Sequence, residues 1–528
     1  MNGPASRAIP VVVVVLGLAA VMGIATRPTS TTLHAGEVST APGTLAVRSV
    51  ALACPAPGLA GAPTARVALV AAAGSASSGS ASSGSASSST GTSGGGASAA
   101  KTGGAGVASV TPLSSAGGTP LEHLTQPGVL TISGAQPAAK VPKHAVVPAA
   151  PAGQPASVPT QGGVVIQATG SMASGLEAEQ VTSADEAAPC AGPGTDFWFV
   201  APGRLSGNHI ELALMNVDSQ SVSVNVDAFT DAGPLQGASD TGVTIPPHAM
   251  VTQSLDTMLS GSRVVAIDVH ATVGQVVAAL EEKPGSSQGG AWLPADQAPA
   301  RQVVVPALPG TTATPQVFVA VPGTQDAHLT VTAVTTKGSY QPTGAGGLDI
   351  PGSSATEFPL PSLAGVPGAL QISSTVPITA TVELPGGGTG APGVFAGALP
   401  PVAEQAVAAN NTSGGGTGCE VVLAAPGRAV SAQVSEVGES PGQAGTPVTV
   451  HIPAHHALVE ALGRSATSNH KDTFAVVVTA LAGSGPLYVE RVLIGSGRNG
   501  LRSLIAVPSA VKTVPLPNVR SVVLTAGN

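Results

Sequence analysis

Aromatic residues are nearly missing from this chain: Phe, Trp and Tyr make up 2% of its 528 residues. A hydrophobic core must therefore be built from Val, Leu, Ile and Ala side chains. Charged residues are also scarce, at 9%, and the net charge of −8 is spread thinly without any basic run. Because nucleic-acid binding needs clustered Lys and Arg side chains, we expect no nucleic-acid partner.

Cysteine is rare as well, with Cys54, Cys190 and Cys419 as the three copies. No two of them have the spacing of a metal-binding pair, so we predict no metal site, and no motif predicts a cofactor. In an exported chain, three cysteines allow one disulfide and one remaining thiol.

Long apolar runs are absent except at residues 8–25, which carry no charge and lie between Arg7 and Arg27. This length just suffices for a transmembrane helix. We predict that residues 1–30 form a short cytoplasmic stub and a single-pass anchor, with the C-terminal bulk extracytoplasmic. The alternative is a signal peptide cleaved near Gly23-Ile24-Ala25, which would give a secreted protein.

Glycine and proline, by contrast, are abundant, with 68 and 47 residues. From about residue 160, short runs of alternating Val, Ile and Thr are interrupted by Gly and Pro turns, as in residues 221–229. This pattern is typical of antiparallel β-sandwiches. Residues 74–160 are instead rich in Ser, Gly, Ala and Pro, which predicts a mostly disordered insertion with a few ordered pieces.

An isoleucine followed by proline recurs three times, at Ile245, Ile350 and Ile452. Because proline cannot donate to a β-ladder, the motif marks a strand end. Its spacing of about a hundred residues fits the size of one sandwich. We also match three strands that end in Pro-Gly as the openings of the copies, at residues 199–203, 319–323 and 423–427.

We therefore predict an all-β fold of tandem immunoglobulin-like β-sandwich repeats, three clear and one interrupted. The predicted segments are 44–190 (interrupted, with the insertion at about 74–160), 191–310, 311–410 and 415–528. Cys54 and Cys190 would then lie at the start of the interrupted copy and just before the next. We predict a disulfide between them; the alternatives are that both are free or pair elsewhere.

Several short elements resemble the DUF5719 family, actinobacterial exported proteins of unknown function. These elements are Cys54-Pro55, Cys190-Ala191-Gly192-Pro193, Leu214-Met215-Asn216-Val217 and Val276-Val277-Ala278-Ala279-Leu280-Glu281, together with the N-terminal apolar segment. The resemblance covers roughly residues 44–73 and 160–525. It implies an extracytoplasmic location and no assigned chemistry.

Motifs that resemble cofactor or metal sites have a purely structural interpretation in this chain. Residues 495–500 match G-x-G-x-x-G, but a strand pattern follows and no acidic residue lies beyond Glu490, so we predict a hairpin turn. His451, His455 and His456 cluster around the third Ile-Pro turn, and we interpret them as exposed loop residues because no carboxylate completes a metal site.

The paired carboxylates Glu281 and Glu282 are predicted to form a solvated strand edge, because strand neighbours point to opposite faces. Trp198 lies in the one aromatic cluster, Phe197-Trp198-Phe199, which is more typical of a core than of a sugar platform. If carbohydrate is bound, Trp198 and Trp292 are the expected anchors.

The sequence thus predicts a non-catalytic, membrane-anchored extracytoplasmic protein that serves as a cell-envelope scaffold or partner-binding module. The alternative is a protein that binds a cell-wall polymer or carbohydrate. The predicted partners are the membrane, through residues 8–25, and an envelope protein or wall polymer. No catalytic residue is predicted.

Overall fold

A computed structural model describes residues 44–55, 65–71, 107–115, 145–147, 156–160, 163–170, 173–181, 187–204, 207–235, 240–283, 285, 290–386, 392–412, 418–438, 445–463, 473–495 and 501–515. The predicted membrane segment, residues 8–25, lies outside these ranges. Within them, no helix is long and apolar enough to span a bilayer. The predicted all-β class is confirmed, since the described helical structure amounts to short 3₁₀ turns such as Pro361–Leu363.

The chain divides into two compact units. The small unit comprises residues 1–45 and 514–528, and its described part belongs to a two-stranded sheet of β1 (Thr44–Ala46) and β36 (Thr513–Pro515). The large unit, residues 46–513, holds four groups of strands that we call the N-terminal, first, second and third modules.

The strand bounds of the four modules are as follows. The N-terminal module has β2 (Ser49–Cys54), β3 (Ala65–Ala71), β4 (Val107–Pro112), β5 (Ser114–Ser115), β6 (Ala145–Val147), β7 (Ala156–Thr160), β8 (Val164–Thr169), β9 (Leu176–Val181) and β10 (Ala187–Pro189). The first module has β11 (Asp196–Pro202), β12 (His209–Met215), β13 (Val222–Thr230), β14 (Gly233–Pro234), β15 (Asp240–Ile245), β16 (Ala249–Ser254), β17 (Val264–Val273), β18 (Val277–Lys283) and β19 (Ala291–Leu293). The second module has β20 (Ala300–Pro309), β21 (Gln316–Val321), β22 (Ala327–Thr335), β23 (Gly338–Tyr340), β24 (Gly346–Ile350), β25 (Ser354–Pro359), β26 (Pro367–Leu384) and β27 (Val394–Gly397). The third module has β28 (Gln405–Thr412), β29 (Gly418–Ala425), β30 (Val430–Gly438), β31 (Val448–Ile452), β32 (His456–Ala461), β33 (Thr473–Ala480), β34 (Tyr488–Ile494) and β35 (Leu501–Ala506).

One strand order recurs in all four modules. We label the main strands of a module a to h in chain order and leave the short strands β5, β14 and β23 without a letter. One sheet then runs a-f-c-d and the other h-g-b-e. The orders are β2-β8-β4-β6 with β10-β9-β3-β7, β11-β17-β13-β15 with β19-β18-β12-β16, and β28-β33-β30-β31 with β35-β34-β29-β32. In the second module, the long strand β26 occupies both f and g. This order differs from the immunoglobulin one, where the first two strands are neighbours.

Alternating side chains explain why the two sheets of a module pack together. In β13 every second residue is buried, beginning at Val222, and these side chains face Ile210, Leu212 and Leu214 of the opposite sheet. The third module has an equivalent core around Phe474. Aliphatic side chains on facing sheets therefore supply most of the core, as the composition predicts.

The recurring Ile-Pro motif forms the turn between strands d and e in three modules. Its third residue after Ile, namely His248, Ser353 or His455, has a φ of 51°, 55° or 63°. The backbone N–H of this residue donates to the end of strand b or to the loop after it, for example from His455 to the Ala425 carbonyl at 2.7 Å. The turn therefore fastens one sheet of a module to the end of the other.

One sequence-based detail is wrong. The Pro-Gly strand at residues 199–203 is strand a of the first module, whereas those at 319–323 and 423–427 are strand b of theirs. In the second module alone, Pro-Gly ends or follows strands at residues 309–310, 322–323, 351–352 and 385–386, so it does not identify one position. Within the predicted insertion at 74–160, the structure places β4 to β7 as ordered pieces, and apart from Leu113 the remaining residues lie outside the described ranges.

The modules pack through the outer faces of their sheets, each a-f-c-d sheet against the h-g-b-e sheet of the next. Between the first and second modules, Val200 and Ala266 meet Phe318 and Ala320. Further on, β20 contacts β29 and β34, and β28 contacts β3 and β9 of the N-terminal module. Strands β10, β19, β27 and β35 also contact one another in cyclic order, including β35 with β10. The four modules of the large unit thus form a closed ring, with h strands at its centre.

Candidate functional site

A cleft of about 650 Å³ opens at one loop end of the third module. Its walls are the segment before β28, the loop between β29 and β30, and the loop between β33 and β34. The charged residues lining it are Glu404, Arg428 and Lys512, and the apolar ones include Val402 and Leu481. Pockets of small ligands have volumes of about 300–1,000 Å³, so the cleft is large enough for one.

The loop between β33 and β34 is held firmly against the rest of the module. Leu481 N–H donates to the Ser431 carbonyl at 2.9 Å, and Gly485 N–H donates to the Ala429 carbonyl at 2.9 Å. The Ser484 hydroxyl donates to the same Ser431 carbonyl at 2.8 Å and accepts from Ser431 N–H at 3.1 Å. A side chain at Gly485 would collide with the Arg428 backbone, so glycine permits this close approach. The cleft wall is therefore pre-formed.

The cleft carries two cations and one carboxylate. Arg428 and Glu404 are exposed, and Lys512 is half-buried. Partial burial lowers the pKa of Lys512, and the charge of Glu404 opposes that shift. The Thr513 hydroxyl donates to Glu404 at 2.7 Å. Elsewhere Arg204, Lys283 and Arg491 have carboxylate partners, whereas Arg428 and Lys512 have no ion-pair partner in the described ranges.

Trp198 and Trp292, the two tryptophans named as sugar anchors, are both buried, each with 9% of its surface exposed. Trp198 stacks on Phe229 with ring centroids 6.2 Å apart, and Trp292 belongs to the contact between the N-terminal and first modules. Neither indole presents an open face to solvent. The interpretation of residues 197–199 as core agrees with this burial.

Cys54 and Cys190 are joined by a disulfide, with Cα atoms 4.5 Å apart. The bridge links the end of strand a to the residue after strand h of the N-terminal module, where Ala53 and Ala191 also exchange backbone hydrogen bonds. Cys419 is free and buried, and burial raises the pKa of its thiol to about 12. It is therefore an unreactive thiol.

The histidines of the third Ile-Pro turn do not converge. His451 Nδ1 is 2.9 Å from the Ser431 hydroxyl, and His456 Nδ1 is 2.9 Å from the Ala454 carbonyl. Among the described residues, no group of three or more His, Cys, Asp or Glu side chains is arranged to hold a metal ion. Of the G-x-G-x-x-G segment, residues 496–500 lie outside the described ranges.

Glu281 and Glu282 are not a solvated edge; each exposes only 2% of its surface. Lys283 approaches Glu281 to 3.2 Å and Glu211 to 2.7 Å. Burial, reinforced by Glu383 of the second module, raises the pKa of Glu282 to about 8. The sequence prediction failed because strand β18 is covered on both faces, by its own module and by a neighbouring one.

A second buried ionic group lies where the ring closes between the third and N-terminal modules. The guanidinium of Arg491 in β34 is fully buried and donates through Nη2 to Glu179 in β9. Its Nε and Nη1 have no hydrogen-bond partner in the described part of the chain. The two residues are 312 positions apart, so this ion pair joins distant parts of the chain.

Sequence reasoning missed the cleft, although a signal was present. The connection between strands f and g is residues 274–276 in the first module and is absent from the second, where β26 is continuous. In the third module it extends over residues 481–487, one residue longer than the connection at 170–175 in the N-terminal module. A loop that is longer in one copy of a repeat is a candidate binding loop.

The fold and the cleft define a class: an all-β, disulfide-bonded protein of recurring two-sheet modules with a charged cleft at one rim. The family model of DUF5719, a family of unknown function, matches residues 144–461. The chain belongs to this family, which confirms the resemblance seen in its motifs. No curated protein and no solved structure matches the chain.

Proposed function

We propose that the chain is a non-catalytic, extracytoplasmic protein of tandem β-sandwich modules that binds a partner protein in the cell envelope, anchored through residues 8–25. The observation that carries this proposal is the distribution of its polar groups. Asp296, Glu282 and Arg491 are buried in contacts between modules, while the accessible Arg428 and Glu404, with the half-buried Lys512, line a pre-formed cleft of loops. Such an arrangement serves binding.

The Cys54–Cys190 disulfide supports export, because disulfides persist in oxidising compartments and are rare in the cytosol. The apolar segment at residues 8–25 supports anchoring. The immunoglobulin-like character predicted from strand spacing applies here only in the broad sense of two packed antiparallel sheets.

The test is an affinity pull-down with residues 30–528 from an envelope extract of the cells that make the protein. We expect a protein partner at stoichiometric level, identified by mass spectrometry. Wall polymer recovered without protein would instead favour the alternative function, binding of a cell-wall polymer. Recovery of neither would contradict both functions.

Localisation is tested separately with a membrane-impermeant protease added to intact cells whose wall has been removed. We expect digestion of the large unit while the N-terminal stub stays protected. Protection of the whole chain would contradict the extracytoplasmic location.

A further inference from the structure

The charge of the cleft in the third module limits what it can bind. Arg428 and Lys512 contribute two positive charges and Glu404 one negative charge, so the lining has a net charge of one positive. This sign is opposite to that of the whole chain, which carries −8. A cleft of this charge complements a ligand with one carboxylate.

The uncharged part of the lining favours a peptide over a polyanionic polymer. Pro401, Val402, Leu481 and Pro486 provide apolar surface, and Leu481 is 36% exposed. A strongly hydrated phosphodiester polymer would gain nothing from these contacts, whereas apolar side chains would. No aromatic ring lines the cleft to stack on a sugar.

We propose that this cleft binds an extended acidic segment of a partner protein, with Arg428 and Lys512 holding one carboxylate while Leu481 contacts an adjacent apolar side chain. The inference rests on the proposed partner-binding function and identifies its site. The guanidinium of Arg428 offers a planar pair of donors that matches a carboxylate, and Lys512 adds a point charge. Because the loop is already held by Ser431 and Ser484, little ordering cost is added on binding.

The test uses an array of random octapeptides probed with the labelled chain, residues 30–528. We expect enrichment of peptides in which Asp or Glu adjoins an apolar residue. Fluorescence anisotropy then compares the best octapeptide with its Gln or Asn counterpart, which should bind about tenfold more weakly because a charge-assisted hydrogen bond is lost.

Arg428→Ala and Lys512→Ala should each weaken binding of that octapeptide about tenfold, with unchanged thermal midpoints. The matched control is Lys337→Ala, which removes an exposed cation of the second module and should leave affinity unchanged. Equal losses in all three variants would reveal general charge attraction and overturn the proposal. Absence of an acidic motif, or preferential binding of a polyglycerol-phosphate probe, would also overturn it.

The envelope pull-down separates this inference from the proposed function. If the Arg428→Ala/Lys512→Ala chain still recovers the partner captured by the natural chain, partner binding stands and the cleft is not its site. If the natural chain recovers no partner, the proposed function fails, and so does the inference that depends on it.

Discussion

At the scale of single residues, three non-glycine residues adopt a backbone conformation that is usually found at glycine. His248, Ser353 and His455 have φ values of 51°, 55° and 63° in equivalent Ile-Pro turns. A non-glycine residue in this left-handed region costs about 1 kcal/mol. The recurrence of this cost in three modules shows that the turn geometry, with its hydrogen bond to the opposite sheet, outweighs it.

We expect His455→Gly to raise the free energy of unfolding by about 0.5–1 kcal/mol, because glycine adopts this φ without steric cost and the His455 side chain is exposed. Ala454→Gly, in the same turn but at an ordinary φ, should lower it by a similar amount. Urea unfolding followed by circular dichroism measures both. A destabilised His455→Gly variant would contradict the account of the turn.

Removing only one partner of the Arg491–Glu179 ion pair is expected to lower the stability of the chain strongly. Arg491→Met should destabilise the chain by about 3–5 kcal/mol, because it removes the cation beside a buried carboxylate. The double variant Arg491→Met/Glu179→Leu should recover much of this loss. A double variant as unstable as the sum of the two single ones, measured by thermal unfolding, would show that the pair is not coupled.

At the scale of elements, strand positions followed from the sequence more readily than the environment of each face. The alternation of apolar and polar residues in β13 predicted both the strand and its buried residues. The Glu281-Glu282 pair was misread because the same rule assumes that one face of the strand is wet. Covering by a second module is a property of distant residues, so no local pattern could reveal it.

The junction of β18 and β26 makes stability depend on pH. Burial raises the pKa of Glu282 to about 8 and that of Glu383 to about 7, each reinforced by another carboxylate. The folded state therefore binds more protons than the unfolded one, and stability should fall as pH rises from about 4.5 to about 8.

Glu383→Gln should flatten this decline, since an amide does not ionise. Asp218→Asn, at an exposed position, is the matched control and should leave the profile unchanged. Thermal midpoints recorded between pH 5 and pH 9 test this expectation. A midpoint that rises over this range, with or without the substitution, would refute it.

At the scale of the whole molecule, the sequence indicated copies in tandem, and the structure arranges four of them as a ring. The repeat period was readable because three of the copies carry the Ile-Pro turn. The ring depends on contacts between β28 and β9 and between β35 and β10, whose partners begin 229 and 314 residues apart in the chain (405 − 176 and 501 − 187). The cleft is lined by residues of the third module. A search for repeats does not detect a feature of a single copy.

A ring and a linear array differ in their response to truncation. A chain ending at residue 400 loses the third module and exposes the outer sheet faces of both the second and N-terminal modules. We expect it to aggregate and bind a hydrophobic dye, as measured by size-exclusion chromatography and dye fluorescence. A soluble folded monomer would instead indicate a linear array.

The backbone hydrogen bond from Val47 N–H to the Lys512 carbonyl, at 2.8 Å, brings the beginning and end of the large unit side by side. This closure uses the same kind of packing as the other three junctions, one outer sheet face against another. A circularly permuted large unit, beginning at residue 191 and joining residue 513 to residue 46 with a short glycine-serine bridge, should produce the same assembly with a similar thermal midpoint. The ring would then tolerate an opening at more than one junction, and a fusion partner or label could be attached at a junction between modules.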